Sequence, residues 1–212
     1  MKYFLSTMTA LVLLVSSGQT QSKIAGIQLP SKQKAANEAV ATFAEGCFWH
    51  AEIIFQSLDG VRDAVSGYAG GTDKNPSYEK VATGATGHTE TIQVYYDPSK
   101  ISYETLVKAL FASMDPTQLN RQGNDAGTEY RSIAFYRNDS EKKIIEAEIK
   151  RLTDTKIYKQ RIVTEVAPFT KFYPAEDYHQ EYVYFHPENG YVKNVSVPDY
   201  LEFRKGFKGK FK

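Results

Sequence analysis

The sequence has 212 residues, 42% of them hydrophobic and 24% charged, which excludes a collagen-like, coiled-coil or globally disordered chain. Lys and Arg number 26 against 25 Asp and Glu, so the formal net charge is +1 and no global basic field points to nucleic acid. A single cysteine, Cys47, excludes an intramolecular disulfide and a Cys-based zinc or iron–sulfur site within one chain.

Met1-Lys2 provides a positive start, Tyr3 to Val15 is mostly apolar, and small residues Ser16, Ser17 and Gly18 follow. This order predicts a secretory signal peptide over residues 1–21, and the apolar run is too short for a membrane span of about 20 residues. The polar stretch that follows reads as a tether over 22–38, with one folded domain over 39–212. The expected destination is therefore outside the cytoplasm, periplasmic or secreted. Disulfides persist in such compartments, so an odd, unpaired cysteine there marks a candidate reactive thiol.

Ala39 to Ala44 is a short strand candidate that Gly46 breaks. Phe48, Ala51, Ile54, Phe55 and Leu58 then recur at helical spacing, so Cys47 is expected in the first turn of a helix. Val61 to Gly71 reads as a strand entering a Gly-rich loop. Ile92, Val94 and Tyr96 alternate with polar residues as in a half-buried strand, ended by Asp97-Pro98. Ser102 is expected to cap a helix carrying Leu106, Val107, Leu110 and Phe111, closed by Asp115-Pro116. Residues 117–128 are polar and irregular, a pattern of functional or disordered loops. Ile133 to Tyr136 is a strand, Ser140 is expected to cap a charged helix to Leu152, and Ile162 to Val166 is a further strand. The basic run Arg204, Lys205, Lys208, Lys210 and Lys212 reads as a solvated tail. Helices alternating with strands make the class α/β or α+β.

A helix N-terminus presents unpaired N–H groups and the positive end of a dipole, which favours thiolate and is expected to lower the Cys47 pKa. A buried structural cysteine is the competing reading. Phe48 and Trp49 either pack inward or wall an apolar pocket beside the sulfur. His50, His88, His179 and His186 leave a Cys–His pair open. His50-Ala51-Glu52 lacks the two further cysteines of a zinc deaminase, and the chain has no Cys-x-x-Cys, Walker A loop or dinucleotide fingerprint. Tyr78, Glu90, Asp125 and Tyr130 complete the inventory of possible acids and hydroxyl donors.

Several segments occur together in one order: Gly46-Cys47-Phe48-Trp49, Tyr68-Ala69-Gly70-Gly71, Pro76-Ser77-Tyr78, Gly87-His88-Thr89-Glu90 and Asp115-Pro116-Thr117-Gln118. Asn120 to Asp125, Gly127 to Ser132 and Ala175 to Gln180 continue the series. With them the chain resembles the A-type peptide-methionine sulfoxide reductase family, in a single-cysteine variant. The resemblance implies an α+β fold, a two-layer α/β sandwich with a mixed sheet flanked by helices. It implies reduction of the S epimer of methionine sulfoxide, free or in proteins, with no metal and no bound cofactor. Carried over, Cys47 is the nucleophile that becomes a sulfenic acid, and Glu90 is the acid for the sulfoxide oxygen. Tyr78 and Tyr130 hold that oxygen, Phe48 and Trp49 cage the S-methyl group, and Asp125 orders the site and the substrate backbone. Glu90 can act this way only if burial raises its pKa, so it is expected to be buried and protonated.

Two departures stand out. Residues 191–212 hold no resolving cysteine, so the resemblance implies an outside thiol: a thioredoxin-like protein, a glutaredoxin or a small thiol. His50 stands where relatives commonly carry Gly, and it reads as a solvent-facing helix residue. No nucleic-acid or membrane partner is expected, and a monomer is. A thiol peroxidase using the same sulfenic acid, and a secreted module that only binds methionine-rich or oxidised surfaces, are the competing functions.

Overall fold

The computed structural model describes residues 34–212; the predicted signal peptide and most of the tether lie outside the described residues. The chain is already anchored at Glu38, whose carboxylate accepts from Arg62 Nε at 2.5 Å and Nη2 at 3.1 Å.

Six strands form one mixed sheet in the order β7-β6-β1-β3-β2-β8. They are β1 (Ala39–Ala44), β2 (Val61–Ala69), β3 (Thr89–Tyr96), β6 (Ile133–Tyr136), β7 (Glu165–Pro168) and β8 (Phe172–Pro174). The β6–β7 pair is parallel; the other four pairings are antiparallel. A separate hairpin, β4 (Arg121–Gln122) with β5 (Asp125–Ala126), gives the supposedly irregular stretch a short frame. The helices α1 (Phe48–Gln56), α3 (Tyr103–Ser113), α4 (Asp139–Asp154) and α6 (Val197–Gly206) pack on the sheet and on one another. The result is the α+β, mixed-sheet architecture expected, with single-turn helices α2 (Tyr78–Val81) and α5 (Tyr182–Phe185) at its rim.

Strand periodicity explains the two faces. Phe43, Ile92, Val94 and Tyr96 point into the main core with Ile54, Phe55, Leu106 and Leu110 of the helices. Their neighbours of opposite parity, Ala44, Ala69, Ile133 and Phe135, form a smaller cluster that Phe169 and Phe172 cover. Burying each large apolar side chain contributes roughly 1.5–3 kcal/mol, so the main core outweighs the smaller cluster as a source of stability. The expectation of a half-buried β3 fails at its first half: Thr89, Glu90 and Thr91 are all buried. The Thr89 and Thr91 hydroxyls satisfy each other at 2.8 Å on one face, while Glu90 shares the apolar parity of Ile92 and Val94 on the other.

Helix caps follow the sequence with one shift. Ser102 Oγ accepts from Thr105 N at 3.1 Å, as expected. For α4 the cap is Asn138, not Ser140: its Oδ1 accepts from Glu141 N at 3.0 Å while Glu141 Oε2 accepts from Arg137 N at 2.7 Å. An Asn with a Glu three residues on makes this reciprocal arrangement, which outcompetes the serine. The predicted strand at 162–166 forms at Glu165–Pro168 instead.

The basic tail is corrected more thoroughly. Arg204 and Lys205 lie in α6, and Phe203, Phe207 and Phe211 pack together with ring centroids 4.9–6.3 Å apart. Phe211 bridges Leu58, and Lys212 N donates to Ser57 O at 2.9 Å. Aromatics placed every four residues outweigh the charges, because Lys205, Lys208 and Lys210 can stay exposed while the rings turn inward.

Candidate active site

The C-terminal end of the interior strand β1 and the start of α1 deliver the sulfur. Gly46 takes φ +101°, a left-handed turn, and a Cβ there would lie 2.6 Å from Gln122 Cβ. The chain reverses off β1, and Cys47 becomes the N-cap of α1 rather than a first-turn residue. Its side chain makes no capping bond, and the residue as a whole is partly exposed.

Glu90 lies directly beneath. It pairs with Tyr68 of β2, two residues beyond Ile92, whose pair with Phe43 is the last between β1 and β3. With the neighbouring strand ended, Glu90 Oε2 accepts from Phe48 N at 2.9 Å, one of the free N–H groups of α1. Glu90 is 4% exposed. Burial pushes its carboxyl up to about 8, with Asp125 and Glu129 adding to the rise and the Phe48 N–H opposing it. At neutral pH it therefore carries a proton.

Tyr78 opens α2, where its N donates to Glu176 Oε1 at 3.0 Å. Glu176 Oε2 accepts from the Tyr68 hydroxyl at 2.8 Å, so one carboxylate ties β2 to α2. Tyr130 ends the 3-10 turn Thr128–Tyr130, packed on β3. Burial and then Glu90 raise both phenols, Tyr78 to about 12, with Cys47 also acting on each. Both hydroxyls keep their protons and lie near enough to the Glu90 carboxyl and the Cys47 sulfur to feel the charge of each.

Asp125, on β5, accepts from the Tyr191 hydroxyl. Tyr191 is also hydrogen-bonded to the Cys47 sulfur. A phenol has one proton: aimed at Asp125 it leaves Tyr191 free to accept from the Cys47 S–H, and aimed at the sulfur it stabilises the thiolate. The thiol pKa is raised, not lowered as expected: burial and the Glu90 carboxyl outweigh Tyr191 and the Trp49 and His50 N–H groups, which pull it down. Proximity to a helix end was the correct half of that expectation, and desolvation the missing half. Because Glu90 is itself protonated near neutral pH, its repulsion is switched off there.

The aromatic wall is deeper than Phe48 and Trp49 alone. Phe48 is fully buried, its ring 5.0 Å from His179 and 6.0 Å from Tyr68. Trp49 stacks on Tyr182 at 3.7 Å and 5°, meets Tyr191 edge-on at 6.0 Å, and donates Nε1–H to His179 Nδ1 at 3.1 Å. That bond fixes the His179 tautomer with the proton on Nε2, beside the Tyr78 ring at 4.5 Å. Tyr182, Tyr191 and Glu176 were not singled out from sequence. Glu176 and His179 fall inside the Ala175–Gln180 motif, but nothing local marks Tyr182 or Tyr191 among so many tyrosines.

His50 is a further correction. It is 7% exposed, not solvent-facing: its Nε2 lies 3.3 Å from the Ser113 carbonyl and its Nδ1 lies 3.6 Å from Asp199 Oδ2. Packing of α1 against α3 and α6 encloses it. No group of three His, Cys, Asp or Glu side chains among the described residues could hold a metal ion.

A mixed-sheet α+β fold that sets one helix-capping thiol against a buried, protonated carboxyl and phenol hydroxyls defines a thiol-based oxidoreductase. The peptide methionine sulfoxide reductase family model matches residues 39–210. The chain is 46% identical over 168 residues to the peptide methionine sulfoxide reductase MsrA of Polynucleobacter asymbioticus, covering 79% of this chain and 88% of that one. Among solved structures it is similar to the reduced form of Mxr1 from Saccharomyces cerevisiae, with TM-score 0.69, 34% identity, and 74% and 91% of the two chains covered. Mxr1 in complex with Trx2 matches at TM-score 0.50 and 26% identity, covering 72% of this chain and 89% of that one. The chain belongs to the peptide methionine sulfoxide reductase family.

Proposed function

We propose that this protein reduces the S epimer of methionine sulfoxide, free or in proteins, with Cys47 as nucleophile and Glu90 as the acid. The observation that carries the reading is a carboxyl held protonated at neutral pH and bonded to the first N–H of the helix that Cys47 caps. A sulfoxide oxygen leaves only when protonated, and Glu90, Tyr78 and Tyr130 supply one acid and two donors for it. Phe48 and Trp49 take the S-methyl group. Exchanging methyl and oxygen misplaces both, which accounts for epimer choice.

The thiol proton leaves through Tyr191 and Asp125 as the sulfur attacks. The S–O bond of the substrate breaks, methionine is released, and Cys47 gains the oxygen as a sulfenic acid. Two electrons have moved from Cys47 to the substrate. With Cys47 the one cysteine in 212 residues, an outside thiol forms a mixed disulfide and a second thiol releases it. The complex of the yeast relative with Trx2 supports a thioredoxin-type donor.

Turnover of separated dabsyl-methionine sulfoxide epimers with a panel of thiols tests this. Activity on the S epimer alone is expected, and Cys47 gains one oxygen when substrate is added without reductant. Equal turnover of both epimers, or faster reduction of hydrogen peroxide, favours the peroxidase alternative. Retained binding without turnover in the wild type favours a binding module. We also place the mature enzyme outside the cytoplasm, on the signal-like residues 1–21. N-terminal sequencing of the native protein tests that, and an intact Met1 refutes it.

A further inference from the structure

A second cavity opens on the flank of Cys47. It has a volume of about 210 Å³, and Cys47, His50, Asp125, Tyr191 and Asp199 line it with Glu45. Glu90, Tyr78, Tyr130, Phe48 and Trp49 do not line it, and it shares Cys47, Asp125 and Tyr191 with the site described above. Its lining contains two aspartates and no lysine or arginine. Glu45 is 1% exposed; its Oε2 accepts from Ser113 Oγ at 2.5 Å, while Oε1 has no hydrogen-bond partner. A buried, unpartnered carboxyl oxygen in a cavity wall is a vacant acceptor, and such groups rarely persist without a role.

His50 is set as a base in that wall. A carbonyl can only accept, so the 3.3 Å contact of Nε2 with Ser113 O places the ring proton on Nε2. Nδ1 is then an unprotonated nitrogen, 3.6 Å from the Asp199 carboxylate that would stabilise a proton arriving there. Burial lowers the His50 pKa and keeps the ring neutral at rest, while Asp199, the Ser113 carbonyl and Asp125 pull the other way.

We propose that this cavity binds a small cationic aminothiol, an ammonium group within a few bonds of a thiol, and that His50 deprotonates it for attack on oxidised Cys47. The proposal rests on the sulfenic acid reading above. Displacement at divalent sulfur runs in line, so a thiol must approach opposite the oxygen held by Glu90 and the phenols, and this cavity is the approach we assign to it. The thiol S–H proton passes to His50 Nδ1. The new S–S bond forms as the Cys47 S–O bond breaks; the oxygen leaves as water with the proton it carried and one from Glu90, and the His50 proton passes through solvent to restore Glu90. A second aminothiol attacks the outer sulfur, restoring Cys47–SH and releasing the aminothiol disulfide. The ammonium sits between Asp199 and Asp125, with Glu45 Oε1 as its further acceptor. Each redox equivalent comes from the two thiols.

The test separates this step from the first. Enzyme is treated with one equivalent of S-sulfoxide, freed of product, and checked by intact mass for one added oxygen. Reduction of the adduct is then timed with cysteamine and with 3-mercaptopropionate, equal in length and opposite in charge. The ratio of the two rate constants is compared between wild type and Asp199→Lys, so the thiols' intrinsic reactivities cancel. Asp199 has a half-exposed side chain and tolerates the change. The ratio is expected to fall roughly tenfold in Asp199→Lys. In His50→Gln the cysteamine rate at pH 7 is expected to fall about a hundredfold, and the deficit to shrink above the thiol's own pKa, where no base is needed. An unchanged ratio in Asp199→Lys, or an unaltered rate in His50→Gln, overturns the assignment. If the oxygen adduct forms and these results fail, the sulfenic reading stands and the cavity assignment alone falls. If no adduct forms, both fall.

Discussion

The two walls of the site are built differently. The wall of Cys47, Phe48 and Glu90 stands on the central strand β3 and the start of α1, locked by a backbone ladder and by core packing. The opposite wall, from Glu176 to Asp199, is a succession of short turns, a single-turn α5 and the π-helical stretch Val192–Ser196. Its residue Glu181 has φ +54°, a conformation that needs outside support. That support is side-chain tethering. The Gln180 amide donates to Ser66 O at 3.0 Å and accepts from Ser66 N at 3.1 Å, as a strand edge would. Glu52 Oε1 accepts from Glu181 N at 2.7 Å and Gln56 Nε2 at 3.1 Å. The nucleophile and acid are thus held by the rigid part of the fold. The aromatic cage and the recycling cavity draw on a segment pinned by a few buried polar groups.

Substitutions on the first wall should destroy chemistry without disturbing the second. Cys47→Ser should reduce turnover by at least about 10³-fold with an unchanged near-ultraviolet dichroism spectrum. Unfolding in that variant would show the walls to be interdependent. Glu90→Gln should lower kcat by roughly 10²–10⁴-fold. The same change should stabilise the fold at alkaline pH. Glu90, Glu45 and Glu52 are each raised from 4.5 to about 8, chiefly by burial. A raised carboxyl contributes its full stability below its unfolded value near 4.5, and that contribution is lost as pH rises through about 8. Stability should therefore decline across that window, and Glu90→Gln should remove part of the decline. For a domain of this size each kcal/mol regained raises Tm by about 2–4 °C, readable by calorimetry at pH 8. The rate of sulfenic acid formation should also fall above pH 8 in the wild type, and in Glu90→Gln that limb should vanish.

The second wall should show in binding. Trp49→Ala removes the ring that Tyr182, Tyr191 and His179 hold, and should raise KM for the sulfoxide by roughly 10–200-fold with a smaller change in kcat. A kcat effect as large as that of Glu90→Gln would mean that the cage also sets the position of the sulfur. Regions outside both walls calibrate the comparison. Asn138→Ala removes the α4 cap and should cost about 1 kcal/mol in urea unfolding while leaving KM as it is. A change in KM would extend the site's supports beyond the two walls.

Legibility from sequence follows the same division. Segments with local periodicity formed close to where it placed them: β1, α1, α3 and the Ser102 cap come from neighbouring residues alone. Ser140 was a reasonable cap by type, but Asn138 wins because Glu141 returns the bond to Arg137 N. The site motif brought Cys47, Tyr78, Glu90, Asp125 and Tyr130 to attention as separate segments. The second wall was nearly silent, since Tyr182 and Tyr191 carry no periodic or spacing signal. His50 looked like an exposed helix residue because enclosure by α3 and α6 is a property of packing, not of spacing.

Residue type and order along the chain determined which elements form and which side chains are able to react. A thiol at a helix start, a carboxyl in phase with the apolar face of a strand, and phenols in glycine-bounded turns are all local facts. The charge states were decided by the tertiary structure. Desolvation depends on atoms brought in from distant parts of the chain, and it moves the Cys47 thiol up against the pull of the helix end. It also leaves Glu90 protonated at neutral pH, where an ordinary carboxyl is ionised, and keeps His50 neutral to lower pH than an ordinary imidazole.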